Sequence, residues 1–161
     1  MHATLPSRDA KAIKIHCPVD RGTLDLVAAG RFSSIGNDTA LSAILSILRD
    51  DNPLGDFGIY KSVIELSAGW ELFVPGTAAN PTLGDAGVST ASPTVILSVY
   101  VPGDARADAI STALHAIMAA HPWEVPVIEV RDVALLVRDS SPFGHAVRGE
   151  DSPGEGSVGD V

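Results

Sequence analysis

The sequence contains little of what secreted, membrane-spanning or zinc-ribbon proteins depend on. It has one cysteine in 161 residues, so no disulfide can form within the chain and no cysteine-rich zinc spacing exists. No apolar run approaches the ~18 residues of a membrane-spanning helix. The first residues also lack the apolar stretch of a secretory signal. We therefore expect a soluble, cytoplasmic protein without a membrane partner.

Basic residues are also scarce. The chain has 11 Lys and Arg against 20 Asp and Glu, which gives a formal net charge of −9. Nucleic acids and anionic membrane surfaces are bound through clustered Lys and Arg, so neither is an expected partner. Part of the acidic excess lies in residues 140–161, which are rich in Ser, Gly and Pro. The charge therefore indicates solubility more than it indicates a partner.

The apolar pattern predicts one domain. Residues 1–10 and 140–161 lack periodicity, and we expect a flexible N-terminus and a disordered acidic tail on either side of a domain at 11–139. The patterns predict two helices, at 37–51 and 103–121. Strands are predicted at 12–19, 23–32, 57–66, 70–74, 94–101 and 125–137, with a hairpin turn at 67–69.

The order of these elements predicts a fold. From the second strand onward it is β-α-β-β-α-β, the split βαβ or ferredoxin-like arrangement of the α+β class, preceded by an extra N-terminal strand. Such a fold has an antiparallel sheet with two helices on one face. The other face is expected to be apolar in places, and a homo-oligomer is expected to form there or by strand pairing at an edge. The residues that indicate this are Val127, Val133, Leu135 and Val137.

Two stretches resemble a known family. "AANPTLGDAG" (78–87) resembles the Ala-Asn-Pro-Thr-Ile-Gly loop of the domain inserted in YqfO-type proteins of the NGG-interacting-factor-three family. "AAHPWEVPVIEV" (119–130) resembles that domain's His-Pro-Tyr-Glu corner and the Tyr-Glu-Val-Pro-Glu stretch of CutA divalent-cation tolerance proteins. The resemblance spans residues 23–137. It implies a CutA/PII-like fold that is often trimeric and binds small ligands or metals at clefts between subunits.

The sequence also departs from that family. The two lobes that carry the metal site of YqfO-type proteins have no counterpart in these residues, so the domain is expected to be free-standing and their di-metal hydrolase function is not carried over. Trp123 replaces the usual tyrosine, and Val125 replaces the second glutamate of the inserted domain. These changes suggest a specialised relative.

The corner at residues 121–124 is the first candidate site. His121 and Glu124 are candidates for acid–base catalysis in a cleft. Alternatively, His121 ends the helix by bonding a backbone carbonyl or Glu124, and Glu124 is paired with a backbone amide or an arginine. Trp123 is predicted to contact a ligand as a stacking wall, or else to anchor a subunit interface.

The turn-rich loop at 75–93 is the second candidate. It is longer than a compact domain usually tolerates without a role, and its Asn80 and Thr82 are predicted ligand contacts. Trp70 and Glu71, on the preceding strand, are expected to face the same cleft. The alternative is a structural flap over the sheet edge. His16 and Cys17 form only a weak metal-binding pair, and Cys17 is expected to be a buried small hydrophobe.

Two functions of different classes follow. The favoured one is a non-catalytic, oligomeric CutA/PII-like domain, preferably a trimer, that binds a small molecule or metal between subunits as a regulatory or accessory protein. The alternative is an enzyme that acts on a small organic substrate through His121 and Glu124. The sequence requires no cofactor and leaves the metal unknown, although a divalent metal fits the resemblance.

The disorder predicted for the tail can be tested by deletion. Removing residues 149–161 should leave the melting temperature nearly unchanged, because a disordered segment contributes no packing to the folded state. Differential scanning calorimetry of the full chain and the shortened chain measures this. A drop of several degrees would show that the tail docks on the domain.

Overall fold

The computed structural model describes residues 5–138, and the predicted tail at 140–161 lies outside this range. One sheet and three helices account for the described chain, joined by turns and one short 3₁₀ segment. Strand β1 begins at Ser7, so residues 7–10 belong to it and not to a flexible N-terminus. In chain order the elements are β1 (Ser7–Pro18), α1 (Arg21–Ala28), the 3₁₀ segment (Phe32–Ser34), α2 (Ala40–Arg49), β2 (Glu65–Phe73), β3 (Thr90–Pro102), α3 (Ala107–Ala120) and β4 (Ile128–Leu136).

The sheet has the order β2-β3-β1-β4, and every neighbouring pair is antiparallel. This is the strand order of a ferredoxin-like fold, so the predicted α+β class is confirmed. Strand β1 lies inside the sheet. Its Ile13 is opposite Val99 of β3 on one side and Val130 of β4 on the other. Strand β1 therefore pairs with β3 on one side and with β4 on the other.

The core lies between the sheet and the helices. Alternate residues of β1 and β3 point to it, because successive side chains of a strand face opposite sides of the sheet. Helices α2 and α3 cover these residues with an apolar stripe at helical spacing. The fully buried members are Ile13, Ile15, Cys17, Val95, Leu97, Val99 and Val101 from the strands, and Leu41, Ile44, Leu48 and Ile117 from the helices.

Cys17 behaves as the sequence predicts. It is fully buried between the sheet and the helices, and burial raises the pKa of its thiol to about 12. A thiol that stays protonated is a poor nucleophile and a poor metal ligand.

Among residues 5–138, no helix combines the length and hydrophobicity needed to cross a bilayer.

The segment at 23–32 is a correction, because it was predicted to be a strand and begins instead as helix α1. Asp20 caps this helix: its carboxylate accepts hydrogen bonds from the Thr23 amide at 2.9 Å and the Thr23 hydroxyl at 2.5 Å. Thr23, Leu24 and Val27 then fall on one buried face. The N-terminal strand is therefore the first strand of the ferredoxin-like fold, and the additional element is a helix.

The hairpin predicted at 67–69 is also wrong. Strand β2 continues through these residues, and Ser67, Ala68 and Gly69 pair with β3 residue by residue. Small residues mimic a turn in the sequence, but pairing with the long strand β3 keeps them extended. The segment at 57–64 is a turn-rich loop rather than a strand. Its Phe57 ring packs edge-on against Tyr100, with the ring centroids 6.4 Å apart.

The sheet face away from the helices is more polar than expected. Val133 and Leu135 of β4 are half-buried on it, as predicted. The strand register also places charged and hydroxyl side chains on this face, because they alternate with the core residues. They include Lys14, His16, Glu71, Ser98 and Glu129.

Gly55 provides a test of the loop that follows α2. It has a φ of +75°, and a Cβ placed there would lie 2.7 Å from the Val63 carbonyl oxygen. Gly55→Ala should lower the free energy of unfolding by about 2 kcal/mol or more, from backbone strain and a clash with main-chain atoms. Urea denaturation monitored by circular dichroism measures this loss.

Gly30→Ala is the matched control. Gly30 also has a positive φ, +68°, but a Cβ there would meet nothing within 4 Å. Gly30→Ala should lower the free energy of unfolding by about 1 kcal/mol, from backbone strain alone. Equal losses in the two variants would show that the contact with Val63 is not close.

Candidate functional site

His121 ends α3 and joins it to the sheet. The residue is 7 % exposed. Its Nε2 lies 2.7 Å from the carbonyl oxygen of His16 in β1, and its Nδ1 lies 3.2 Å from the Trp123 amide nitrogen. A carbonyl accepts and an amide donates, so the ring carries its proton on Nε2 and accepts at Nδ1. Both ring nitrogens are thus bonded to the backbone.

The loop and the corner, two separate motifs in the sequence, meet in space. The carboxylate of Glu124 accepts a hydrogen bond from the Asn80 amide at 3.1 Å. The Thr82 hydroxyl donates to the Pro122 carbonyl at 2.8 Å. These two bonds hold the loop between β2 and β3 against the end of α3. No hydrogen bond joins His121 to Glu124, although both residues lie in the described part of the chain.

Gly84 shapes the same loop. It has a φ of +85°, and a Cβ at this position would lie 2.3 Å from the Thr90 hydroxyl oxygen. Only glycine fits a backbone that turns this closely over a neighbouring side chain. The loop therefore has a defined path, which agrees with the turn chemistry read from Asn80, Pro81 and Gly84.

Trp123 forms a wall of a cleft beside the corner. Its ring packs edge-to-face on Phe73 at the end of β2, with the ring centroids 5.0 Å apart. The cleft has a volume of about 320 Å³ and opens to solvent on one side. Apart from Trp123, it is lined by Pro18, Val19, Asp20, Thr23, Thr39, Ala40, Leu41, Thr82, Leu83, Ser92 and Pro122.

The starts of α1 and α2 are the part of this cleft that the sequence reasoning missed. Thr39 caps α2 by accepting from the Ser42 amide at 3.1 Å, as Asp20 caps α1. Asp20 and Thr39 are residue types that commonly cap helices, and each bonds the amide three positions later. Their position near Trp123 does not follow from the sequence pattern, which predicts a strand where α1 lies.

The described lining of the cleft contains one acidic side chain, Asp20, and no basic one. Hydrogen bonds from the hydroxyl and amide of Thr23 hold the pKa of Asp20 below its usual value. Among residues 5–138, no Lys, Arg or His side chain lines the cleft. The Thr23 and Ser42 amides donate to their own caps, so these two amides are not free to receive an anion. Among residues 5–138, no three His, Cys, Asp or Glu side chains group together as metal ligands.

Trp70 and Glu71 do not share this cleft. Trp70 is 52 % exposed, and the guanidinium of Arg21 lies 5.5 Å from its ring centroid. Glu71 points to the opposite side of β2, where its carboxylate lies 3.3 Å from Nδ1 of His16 and 3.3 Å from the Thr94 hydroxyl. Of the candidate residues, the structure brings together Trp123, Thr82, Asn80, Glu124 and His121, and it separates Trp70 and Glu71 from them.

Comparison with known proteins finds similarity among solved structures only. No protein-family model matches the sequence, and no curated protein matches it. Among solved structures, a Bacillus cereus protein related to NIF3 is 18 % identical, with a TM-score of 0.51, over 81 % of this chain and 27 % of that chain. The present chain thus spans 27 % of the length of that protein.

Two further solved structures are more distant. The divalent ion tolerance protein CutA1 from Ehrlichia chaffeensis is 14 % identical over 82 % of this chain and 87 % of that one, with a TM-score of 0.46. The periplasmic divalent cation tolerance protein CutA from Archaeoglobus fulgidus is 13 % identical over 83 % and 88 %, with a TM-score of 0.37. The resemblance predicted from the two motifs is confirmed at the level of the fold.

The role of His121 can be tested by removing its ring. His121→Ala would leave the His16 carbonyl and the Trp123 amide without partners and open a cavity at the end of α3. We expect the free energy of unfolding to fall by about 2–4 kcal/mol. Urea denaturation measures the change.

His115→Ala is the control, since His115 is exposed on α3 and bonds only within its own helix turn. This control should change stability by less than about 0.5 kcal/mol. If His121→Ala were as stable as the unaltered chain, His121 would not hold the corner.

Proposed function

We propose that this chain is a small-molecule-binding domain of CutA-like fold, working as a regulatory or accessory protein within a homo-oligomer. The observation that carries the proposal is the cleft at Trp123. Two motifs distant in sequence converge there, and two hydrogen bonds fix the loop that borders it. Binding clefts are typically concave, largely apolar and supplied with a few placed polar groups.

The lining of the cleft favours a ligand without negative charge. The pKa of Asp20 at the start of α1 is lowered, and none of the described residues that line the cleft is basic. An anion would approach a carboxylate of its own sign, which is unfavourable. Trp123 offers an aromatic surface, and Thr39, Thr82 and Ser92 offer hydroxyl groups. A planar, uncharged or cationic molecule with a few hydrogen-bonding groups fits this combination.

Homo-oligomer formation through the sheet edges belongs to the same proposal. Strands β2 and β4 are the edges of the sheet, and each presents unpaired backbone groups. Leu72 near the end of β2 and Leu136 at the end of β4 are both exposed. Pairing of one copy's β2 with a second copy's β4 would cover these residues. A trimer formed this way agrees with the assembly that the family resemblance implies.

Metal binding and catalysis have less support as functions of this cleft. Residues 5–138 offer no ready set of metal ligands, so a metal would need side chains from more than one subunit. Acid–base catalysis by His121 and Glu124 requires a ring nitrogen that can reach a substrate. Both nitrogens of His121 are occupied by backbone groups, and Glu124 holds the loop.

Native mass spectrometry of the freshly purified protein tests the proposal. We expect an oligomer, preferably a trimer, with a retained small molecule, because a cleft of this size suits a ligand of modest mass. Trp123→Ala should lose the added mass and keep the oligomer. Circular dichroism of the variant checks that its fold is unchanged.

Tyr60→Ala is the control for loss of an aromatic side chain. Tyr60 is exposed on the loop at 57–64, away from the cleft, and the variant should retain the ligand. Retention of the ligand in Trp123→Ala would place its site elsewhere. A monomeric spectrum for the unaltered chain would contradict the proposed assembly.

A further inference from the structure

Four hydroxyl side chains line the cleft at Trp123, and each donates its proton inside the protein. The Thr23 hydroxyl donates to the Asp20 carboxylate at 2.5 Å. The Thr82 hydroxyl donates to the carbonyl oxygen of Pro122 at 2.8 Å. Both acceptors belong to residues of the same lining, so these two bonds are part of the cleft wall.

The other two hydroxyl groups donate to backbone carbonyls close to them in the sequence. The Thr39 hydroxyl donates to the Gly36 carbonyl at 3.1 Å. The Ser92 hydroxyl donates to the Pro93 carbonyl at 3.2 Å. A hydroxyl group has one proton and two lone pairs, so once its proton is used it can only accept a further hydrogen bond. These four hydroxyl groups therefore offer acceptors, and not donors, to a molecule in the cleft.

Asp20 adds a carboxylate, which is also an acceptor. One of its oxygens accepts from the Thr23 amide at 2.9 Å and the other accepts from the Thr23 hydroxyl. A carboxylate accepts up to about four hydrogen bonds, and the Asp20 residue is exposed, so a ligand can reach its oxygens. The bonds from Thr23 hold the pKa of Asp20 below its usual value, which keeps the carboxylate negative at neutral pH.

Side-chain donors are scarce in the same lining. Among the described lining residues, Trp123 has the one side-chain N–H, and the remaining side chains are apolar apart from Asp20 and the four hydroxyl groups. Pro18 and Pro122 also lack a backbone N–H. A ligand that brings its own hydrogen-bond donors therefore matches this lining better than one that brings acceptors.

The Trp123 ring favours a flat and positively charged ligand. A cation over the face of a tryptophan ring is attracted by its π electrons, and a planar cation can stack on it. Asp20 is the one charged side chain of the described lining, so its attraction for a cation is not offset by a basic neighbour. The cleft volume of about 320 Å³ suits a small free molecule.

We propose that the cleft at Trp123 selects a small planar organic cation that carries an amidinium or guanidinium group. Such a group presents several N–H donors in one plane, in a fork that matches a carboxylate. These donors bond the Asp20 carboxylate and the hydroxyl oxygens, and the plane of the cation lies against the Trp123 ring. The inference rests on the proposed function, because it names the ligand class of the same cleft.

Benzamidine, benzamide and benzoate test this selectivity. The three molecules share a ring with a flat substituent, and they differ in charge and in the number of donors. Isothermal titration calorimetry of the full chain at pH 7 and low salt measures each dissociation constant. Benzamidine should bind at least about tenfold more tightly than benzamide, since charge-assisted hydrogen bonds are the stronger ones, and benzoate should not bind. If the purified protein retains a molecule, benzamidine should remove its mass from the native spectrum and benzoate should not.

Two substitutions in α1 locate the source of the selectivity. Asp20→Asn keeps a capping side chain and loses the charge, so benzamidine should bind at least about tenfold more weakly. Asp25→Asn is the matched control, because Asp25 pairs with Arg21 at 3.2 Å and does not line the cleft. This control should keep the benzamidine affinity within about twofold of the unaltered chain. Unchanged benzamidine affinity in Asp20→Asn would overturn the proposal.

The titrations also separate this inference from the proposed function. Equal affinity for benzamidine and benzamide, or no binding of benzamidine, would overturn the cation selectivity. A retained molecule that is lost in Trp123→Ala would still support the small-molecule cleft in either case. Benzamidine binding that Trp123→Ala leaves unchanged, in a protein that retains no molecule, would contradict both.

Discussion

The hydrogen bond between His121 and the His16 carbonyl connects the parts of this molecule on which its chemistry depends. It joins the end of α3 to the central strand, and the same imidazole accepts from the Trp123 amide. One buried ring thus fixes the exit of the helix, the direction of Trp123 and the backbone of His16. A polar ring with both nitrogens satisfied can be buried at little cost, whereas the groups it bonds would be costly to leave unpaired. The cleft at Trp123 and the backbone of His16 both depend on this one side chain.

The cleft at Trp123 and the pair of His16 and Glu71 are built from different kinds of side chain. The cleft at Trp123 combines an aromatic wall, hydroxyl groups and a single carboxylate, which suits recognition of a neutral or cationic molecule. On the sheet face away from the helices, Nδ1 of His16 lies 3.3 Å from the Glu71 carboxylate. The sequence does not show the partners of His16, which precedes Cys17, or of His121, which precedes Pro122.

The fold could be predicted to the extent that local patterns matched the tertiary structure. The strong apolar run at 94–101 and the capped stripe of 37–51 were identified correctly as β3 and α2. The strand predicted from Thr23 is wrong, because Leu24, Leu26 and Val27 suit a strand as well as the short amphipathic helix that Asp20 caps. The small residues at 67–69 suit a turn by their local pattern, but their pairing with β3 keeps them in a strand. The sequence allows His121 either to end the helix or to react, and its distances to two backbone groups favour the first role. The pairing of His16 with Glu71 spans 55 positions of sequence and three strands, so it could not be found without the sheet order.

Because Cys17 is fully buried, the rate at which its thiol is modified reports how often the core opens. The thiol is enclosed at the centre of the sheet, on the strand that pairs with neighbours on both sides. A reagent that modifies thiols can reach it only after β1 separates from the helices that cover it. Because it is the only cysteine in the chain, the rate of its modification counts these events alone, with no signal from surface fluctuations. The same atom that is inert in the folded state therefore marks how often the core is exposed to water.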